Sequence, residues 1–254
     1  MIRALGIRTL RYPLLWERAA TGNPTEYEWS FADQRLAQMR ALGITPIAGL
    51  DHHGAGPDEA DITSERFAPG LAHYAGALAQ RFPWLEWYTP LNEPLTTARF
   101  SGLYGHWFPH GRSGRVFARL LVNQCRATVL AMRTVREVNP AAKLVQTDDL
   151  GTIYSSPHLA HQAGFENSRR WLAWDLLCGT VTVAHRMHRH LLSWGIDAGE
   201  LAWFRDNPCP PQIIGIDHYV TSDRFLDEDL ERYPPHYWGG NARERYAVVD
   251  IEPP

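Results

Sequence analysis

One acidic residue stands at the end of the most strongly strand-forming stretch of the chain. Trp84 to Pro94, WLEWYTPLNEP, passes from aromatic and apolar residues directly into Asn92 and Glu93. Such residues favour a strand, and Pro94 cannot continue its ladder, so we expect Glu93 at the strand's carboxyl end. A carboxyl group shielded from water by aromatic rings has a raised pKa and can hold a proton near neutral pH. Glu93 is therefore a candidate general acid, and the alternative is a loop residue that caps the next helix.

Strand-like and helix-like segments alternate along the chain. Apolar residues at three- and four-residue steps predict helices, and short runs rich in β-branched and aromatic residues predict strands. The helices are expected over Ser30–Leu42, from Thr63 or Ser64 to Phe82, and over Val116–Val138, Phe165–Leu177, His185–Trp194 and Asp197–Phe204. The strands are expected over Ile7–Trp16, Ile44–Leu50, Trp84–Leu91, Lys143–Thr147 and Gln212–Tyr219, with a further one over Tyr246–Ile251. Thr96–Ser113 is expected to be a long loop, and the chain turns polar and aromatic from Thr221 onward.

This alternation predicts an α/β fold built from parallel strand–helix–strand units. An open doubly wound sheet shows the same alternation, but it normally carries a glycine-rich phosphate turn, and none follows any predicted strand. The sequence therefore favours a (β/α)8 barrel fold, with its chemistry at the carboxyl ends of the strands. A length of 254 residues suits one such domain over residues 1–254.

Composition and charge exclude several classes of protein. A net charge of −3 gives no electrostatic basis for binding nucleic acid or an acidic membrane surface. Three widely spaced cysteines predict neither a disulfide framework nor a zinc ribbon, and they suit a reducing cytoplasm. Arginines interrupt the apolar residues of the N-terminus, so we expect neither a signal peptide nor a membrane span.

We expect no metal and no cofactor, because adjacent acids and histidines such as Asp51 to His53 point to opposite sides of a strand.

Four separated motifs together resemble the family-one glycoside hydrolases, the β-glucosidase type of barrel. The resemblance runs over nearly the whole chain, and the motifs occur in the family's order. They are LRYPLLWER at Leu10–Arg18, GITPIAGLDHHG at Gly43–Gly54, TPLNEP at Thr89–Pro94 and GIDHYVTS at Gly215–Ser222. The resemblance implies a retaining β-glycoside hydrolase-like domain with a carbohydrate or glycoside substrate.

The same resemblance implies a role for each matching residue. Glu93 would be the catalytic acid/base, and Asn92 would hold the 2-hydroxyl of the sugar. Arg11 would brace the nucleophile, and Tyr219 would lie beside it. His52 matches the histidine that contacts the sugar hydroxyls.

Tryptophans in loops are candidates for stacking on the apolar C–H face of a sugar. Most of the ten tryptophans are expected to be core residues. Trp107 and Trp238 are the favoured exceptions, because both lie in predicted loops, and we expect Trp107 to bind substrate.

Two of the four motifs depart from the family's pattern, at three residues. His53 stands where the family has Trp, and Asp217-His218 stands where it has Asn-Tyr. These departures resemble glycosidase-like domains fused to a sugar-nucleotide reductase of the dTDP-4-dehydrorhamnose type. Such a covalently fused reductase is an expected partner, and a non-catalytic sugar-binding or scaffolding domain in that fusion is the alternative function.

The family's nucleophile is a Glu in a Thr-Glu-Asn-Gly-like motif on the seventh strand, and no such motif occurs before Pro254. The family's strands two to six are therefore expected here, in a fragment truncated at both ends. The nucleophile is expected beyond the end of the chain, because Glu228, Glu231 and Glu252 lie in polar or terminal segments. We expect this fragment to be inactive as a hydrolase by itself, since a retaining mechanism needs two carboxyl groups.

Overall fold

A computed structural model describes residues 2–251 of the chain. The strands are β1 (Thr9–Pro13), β2 (Thr45–Gly49), β3 (Trp87–Thr89), β4 (Lys143–Asp149), β5 (Ile153–Ser155), β6 (Ile213–Asp217), β7 (Arg224–Asp227), β8 (Trp238–Gly240) and β9 (Arg245–Asp250). The α-helices are α1 (Trp16–Ala19), α2 (Ser30–Ala41), α3 (Phe67–Arg81), α4 (Pro94–Ala98), α5 (Gly114–Val138), α6 (Ala160–Arg170), α7 (Leu172–Leu177), α8 (His188–Ser193) and α9 (Ala198–Asp206). None of the helices within residues 2–251 combines the length and apolar character that crossing a membrane requires.

The described residues form two compact units. The first consists of residues 2–147 and 173–215, and the second of residues 148–172 and 216–251. Each unit has buried apolar residues of its own. The prediction of one domain over the whole chain stays a prediction.

The main sheet has five strands in the order β1-β2-β3-β4-β6. Strands β1 to β4 pair in parallel with their neighbours in the sequence, and Arg11 of β1 lies opposite Ile47 of β2. Helices α2, α3 and α5 lie between successive strands in the sequence. A doubly wound sheet reverses its strand order at the middle, whereas a barrel keeps neighbours in sequence order. The order confirms the predicted fold class, an incomplete barrel of the (β/α)8 type.

Helices α3 and α5 supply much of the buried apolar surface of the first unit. The long helix α5 begins where the Ser113 hydroxyl accepts a hydrogen bond from the backbone N–H of Val116, which satisfies a donor at the helix start. The apolar residues of both helices recur at helical spacing, so one face of each helix is buried. Fully buried side chains on these faces include Leu71, Tyr74, Leu78, Phe117 and Leu121.

The second unit contains a four-stranded sheet in the order β5-β7-β9-β8. Strands β5 and β7 are parallel, and β9 pairs antiparallel with both β7 and β8. One face of the sheet, which includes Ile153, Leu226 and Tyr246, packs against Leu159 and Ala163 of the helical segment that follows β5. The sequence predicted only the last of these strands, over Tyr246–Ile251, and the structure places it at Arg245–Asp250.

Several predicted boundaries were wrong. The strand predicted over Trp84–Leu91 is only Trp87–Thr89, because Pro83 and Trp84 form a turn before it and the strand pairing ends at Thr89. The loop predicted over Thr96–Ser113 begins as helix instead. Pro94 starts α4 with its fixed φ, and the chain then continues as a π-helical turn over Arg99–Leu103.

Replacing Gly102 by Ala should lower the thermal midpoint of unfolding. A Cβ at Gly102 would lie 2.7 Å from the backbone N and Cα of Phe117, and a backbone cannot move aside as a side chain can. Overpacking of this kind costs roughly 1–3 kcal/mol. Gly164→Ala in α6 is the matched control, because its Cβ would meet nothing within 4 Å, so that change should stabilise by about 0.5–1 kcal/mol. An unchanged midpoint for Gly102→Ala would contradict the close approach of the π-helical turn to α5.

Candidate functional site

Glu93 is a buried carboxyl group held on an unusual backbone. It follows the carboxyl end of β3 and directly precedes Pro94, the first residue of α4. Its φ of 44° and ψ of 62° lie in the left-handed region, which is costly for a residue with a Cβ. Only 3% of its surface is exposed, and its side chain makes no capping hydrogen bond to the helix. The alternative, a residue that caps the next helix, is confirmed for the backbone of Glu93, which is the N-cap residue of α4; its role as a general acid stays a prediction.

Asn92 is the centre of a polar network that joins four strand ends. Its Oδ1 accepts hydrogen bonds from the Arg11 guanidinium and from Thr147 Oγ1, the latter at 3.0 Å. Arg11 also donates to Thr147 Oγ1 at 3.1 Å, so the three side chains form a closed triangle. On the other side, Asn92 Nδ2 lies 3.0 Å from His53 Nε2, and the Asn92 backbone N–H donates to Asp51 O. With 2% of its surface exposed, Asn92 has its orientation set by these bonds.

His53 links this network to Glu93. Its Nδ1 lies 2.9 Å from Thr97 Oγ1, and its Nε2 lies 4.0 Å from Glu93 Oε2. Because Asn92 Nδ2 can only donate, His53 Nε2 is the acceptor, and the proton of the neutral ring is on Nδ1. The ring centroid of Trp107 is 5.0 Å from that of His53. The sequence marked His53 only as a departure from a family pattern and gave it no role.

The two other candidates from this part of the sequence lie beside the network. His52 is exposed, its backbone forms an isolated parallel bridge with Asn92, and its ring centroid is 5.0 Å from that of His53. Trp107 is partly exposed and stacks on Phe100, with the two ring centroids 4.8 Å apart. The first unit thus brings together Arg11, His52, Asn92, Glu93 and Trp107. Their predicted roles toward a sugar stay predictions.

Two further carboxyl groups, Asp51 and Glu17, lie close to the network. Burial is the main cause that raises the pKa of Asp51 to about 8; the charge of Glu17 raises it further, and the N–H of Gly54 opposes the shift. Burial also raises the pKa of Glu17, against a hydrogen bond from the backbone of Gly56. A Cβ at Gly54 would lie 2.1 Å from Glu17 Oε2, so a larger residue there would displace the Glu17 carboxyl from its present position. The sequence singled out neither carboxyl as part of a site, because their proximity depends on contacts between β1 and β2.

Tyr219 belongs to the second unit. It is 55% exposed, and its backbone N–H donates to Ser222 Oγ at 2.8 Å. Its role beside a nucleophile stays a prediction. Trp238 lies in the same unit, where its Nε1 donates to the carbonyls of Leu230 and Tyr233.

Within residues 2–251, no three side chains of His, Cys, Asp or Glu converge in a way that could hold a metal ion. Asp51 and His53 are both engaged in hydrogen bonds, with Gly54 and with Asn92 and Thr97. At the ends of β1 to β4 a buried carboxyl lies beside an amide and an imidazole, and groups of these types are able to transfer protons.

Comparison with solved structures identifies the fold as glycosidase-like. The β-glucosidase from Thermotoga maritima in complex with deoxynojirimycin matches with a TM-score of 0.76 and 17% identity, over 100% of this chain and 56% of that one. The same enzyme in complex with azafagomine matches with a TM-score of 0.77 at 17% identity, over 100% and 56%. A third structure, described as a family 1 β-glucosidase from that organism, gives 0.76 and 17%, over 100% and 55%.

The chain therefore spans just over half the length of the solved enzymes that it matches. At 17% identity, the likeness shows the fold alone. No protein-family model matches the chain, and no curated protein matches it in sequence.

The stability of the folded chain should depend on Asp51 between about pH 4 and pH 8. The unfolded chain loses this proton near the ordinary pKa of 3.8, whereas the folded chain keeps it up to about pH 8. The folded state thus binds more protons in that window, and the free energy of unfolding falls as the pH rises. Asp51→Asn removes this titration and keeps an Oδ1 acceptor for the N–H of Gly54. It should therefore flatten the fall in the free energy of unfolding, which amounts to a few kcal/mol in the unsubstituted chain, since each unit of pKa shift corresponds to about 1.4 kcal/mol.

Urea unfolding at several pH values within that window measures this difference directly. Asp58→Asn, a change at an exposed acid of the following 3-10 turn, is the control and should keep the pH profile of the unsubstituted chain. Parallel pH profiles for Asp51→Asn and the unsubstituted chain would show that Asp51 is not protonated in the folded state.

Proposed function

We propose that the chain carries the acid/base part of a β-glycoside hydrolase site, with Glu93 as the acid/base. One observation supports this most strongly: a buried carboxyl on a left-handed backbone follows an Asn whose side chain is oriented by Arg11, Thr147 and His53. A general acid needs a shielded carboxyl close to the bond it protonates, and this position provides the shielding. The glycosidase-like fold supports the assignment, since the chemistry of barrels of this type lies at the carboxyl ends of the strands, and Glu93 follows the carboxyl end of β3.

In this proposal Glu93, Asn92 and Trp107 contact the sugar, and Arg11 orients Asn92. Glu93 gives a proton to the oxygen of the glycosidic bond as that bond breaks. Asn92 Nδ2 has two N–H bonds, of which one is directed at His53, so the second can donate to a sugar hydroxyl. Arg11 fixes the Asn92 side chain through its Oδ1. Trp107, which rests on Phe100, offers a flat surface for the C–H face of the ring.

Hydrolysis with retention needs a second carboxyl group about 5–5.5 Å from the first, which attacks the sugar as the nucleophile. The sequence contains no Thr-Glu-Asn-Gly-like motif that would supply it. We propose that this chain binds β-glycosides and does not hydrolyse them by itself, and that a whole protein containing this chain together with the nucleophile strand hydrolyses them with retention. The three free cysteines support a reducing, cytoplasmic location for that protein.

The second candidate is a sugar-binding or scaffolding domain without hydrolytic activity, fused to a sugar-nucleotide reductase of the dTDP-4-dehydrorhamnose type. The observation that favours it is His53, which fills the position of a family Trp and bonds to Asn92 Nδ2. The His53 ring accepts a hydrogen bond from the Asn92 amide and lies 4.0 Å from the Glu93 carboxyl, so it changes the surroundings of the proposed acid.

Glu93→Gln should weaken binding of deoxynojirimycin to the chain by roughly tenfold or more, measured by isothermal titration calorimetry. This compound is bound in one of the solved β-glucosidases, and its ring nitrogen accepts a proton, so a carboxylate partner contributes a charge-assisted hydrogen bond of about 1.5–3 kcal/mol. Gln keeps the shape of the side chain and removes the charge. Glu86→Gln, at the opposite end of the same strand, is the matched control and should leave the affinity unchanged. Equal affinities for the Glu93 and Glu86 variants would remove Glu93 from the site.

Hydrolysis of an aryl β-glycoside by the whole protein separates the two candidate functions. If Glu93 is the acid/base, Glu93→Gln should lower the rate by about 10²–10⁴-fold, the usual contribution of a general acid. Binding that is sensitive to Glu93, in a whole protein with no hydrolysis above background, would instead favour the sugar-binding domain.

A further inference from the structure

Two of the three cysteines lie close together in the first unit. Cys178 directly follows Leu177, the last residue of α7, and Cys209 lies between α9 and β6. The backbone N–H of Cys209 donates a hydrogen bond to the carbonyl of Leu177 at 2.7 Å. Because that carbonyl belongs to the same peptide unit as the nitrogen of Cys178, ordinary bond lengths keep the two cysteine Cα atoms within about 7 Å of each other. A disulfide joins Cα atoms about 4.4–6.8 Å apart, so the two cysteines are within reach of one.

Backbone contacts on the other side of Cys178 hold this arrangement. Gly179 has a φ of 69°, and its N–H donates to the carbonyl of Leu176 at 3.0 Å, so a tight turn ends α7. A Cβ at Gly179 would lie 3.1 Å from the carbonyl oxygen of Phe204 in α9. The end of α7 therefore rests against α9, only a few residues before Cys209.

The two thiols have different electrostatic surroundings. Arg136 Nη1 donates to Cys209 Sγ at 3.5 Å. Burial is the main cause that raises the pKa of Cys209, and the guanidinium groups of Arg136 and Arg133 oppose that shift. For Cys178, burial also raises the pKa, and the negative charges of Asp175 and of a Cys209 thiolate raise it further. Because the thiolate is the reactive form, Cys209 is the better nucleophile of the two.

A cavity of about 340 Å³ gives a small molecule access to Cys209, although only 3% of the residue is exposed. Arg133 and Arg136 also line it, so guanidinium N–H groups are available to an oxygen atom that gains negative charge there. Hydrogen peroxide is only a little larger than a water molecule, which takes about 30 Å³ in the liquid. It is uncharged, so the carboxylate of Glu137 at the cavity does not repel it.

We propose that Cys178 and Cys209 are a site of reversible oxidation, at which hydrogen peroxide converts the two thiols into a disulfide. The Cys209 thiolate attacks one oxygen of the peroxide, the O–O bond breaks, and the leaving hydroxide takes up the proton released by Cys209 and departs as water. Cys209 is then a sulfenic acid. The sulfur of Cys178 attacks the sulfenic sulfur, the S–O bond breaks, and hydroxide leaves with the proton of Cys178 as a second water. The two thiols together lose two electrons, and the peroxide gains them.

The disulfide would act as a covalent clamp on the first unit. It closes residues 179–208, which contain α8 and α9, into a loop. A cross-link of this kind restricts the unfolded chain and so stabilises the folded one. Under reducing conditions the pair stays as two thiols, and disulfides that form in such compartments are usually transient. The site uses no residue of the network around Asn92, so it does not depend on the role proposed for Glu93.

The test treats the folded 254-residue chain with excess hydrogen peroxide and reads the product by mass spectrometry. The mass of the chain should fall by that of two hydrogen atoms. A digest without reductant should contain the peptide of Cys178 linked to that of Cys209, and dithiothreitol should restore both thiols. The thermal midpoint of unfolding should be several degrees higher for the oxidised chain than for the reduced one.

Three cysteine variants assign the roles in this reaction. Cys178→Ser should stop at the sulfenic acid of Cys209, which dimedone labels, and Cys209→Ala should leave Cys178 as a thiol under the same conditions. Cys125→Ala is the matched control and should form the disulfide at the unsubstituted rate, because Cys125 is fully buried in α5 and contacts the carbonyl of Ala173.

Two variants of Arg136 test the charge beside Cys209. Arg136→Met should slow the labelling by dimedone in the Cys178→Ser background roughly threefold or more, because it removes a charge that favours the thiolate. Arg136→Lys keeps a positive charge and should retain most of the rate. A purely structural role of Arg136 would not separate Lys from Met in chains that melting curves show to be equally stable.

The peptide map of the unsubstituted chain decides the proposal even if a variant fails to fold. Peroxide treatment that leaves all three thiols intact would overturn it and would show that Cys178 and Cys209 are inert buried residues. A disulfide that contains Cys125, or one that joins two chains, would overturn it as well.

Discussion

The first unit depends on the hydrogen bonds that converge on the Asn92 side chain. Arg11 carries a charge that must be solvated by polar atoms, and Asn92 Oδ1 together with Thr147 Oγ1 provides them. These residues come from β1, from the segment after β3, and from β4, while His53 follows β2. A hydrogen-bond network of this kind can specify one arrangement of the strands that carry it, because a shift in register would separate its donors from their acceptors and leave buried polar atoms unpaired. The parallel sheet and this network are therefore mutually dependent.

Two residues at the network, His53 and Glu93, have a strained backbone with a positive φ. His53, Glu93 and His110 are the non-glycine residues within 2–251 that have a positive φ, and two of these three contact each other. Such conformations cost on the order of 1–3 kcal/mol and persist only where the surrounding structure determines them. At Glu93, the start of α4 helps to hold this conformation, because the N–H of Thr97 donates a hydrogen bond to the carbonyl of Glu93. Strain at a buried residue is typical of functional sites, and at Glu93 it occurs next to the hydrogen-bonded Asn92.

The sequence predicted the parts of this structure that depend on local composition. The strand that leads to Asn92 and Glu93, the sequential order of parallel strands and the long helix α5 follow from periodicity and turn residues, and the structure contains all three. Long-range contacts account for most of what was missed. His53 gains its place only when β2 and β3 are paired, and the carboxyl of Glu17 only when β1 lies beside β2. The other three strands of the second sheet were missed because they are only three or four residues long, so that only their pairing reveals them.

We propose that the strand ends of the first unit form a sugar-binding acid site. A crystal structure of the chain with glucoimidazole, a compound bound in one of the similar β-glucosidases, would show whether these residues bind a sugar. We expect a sugar-like ring within hydrogen-bond distance of Asn92 Nδ2 and of the Glu93 carboxyl, with Arg11 still bonded to Asn92 Oδ1. A ring bound elsewhere, with Asn92 and Glu93 making no contact to it, would rule out a sugar site at these strand ends.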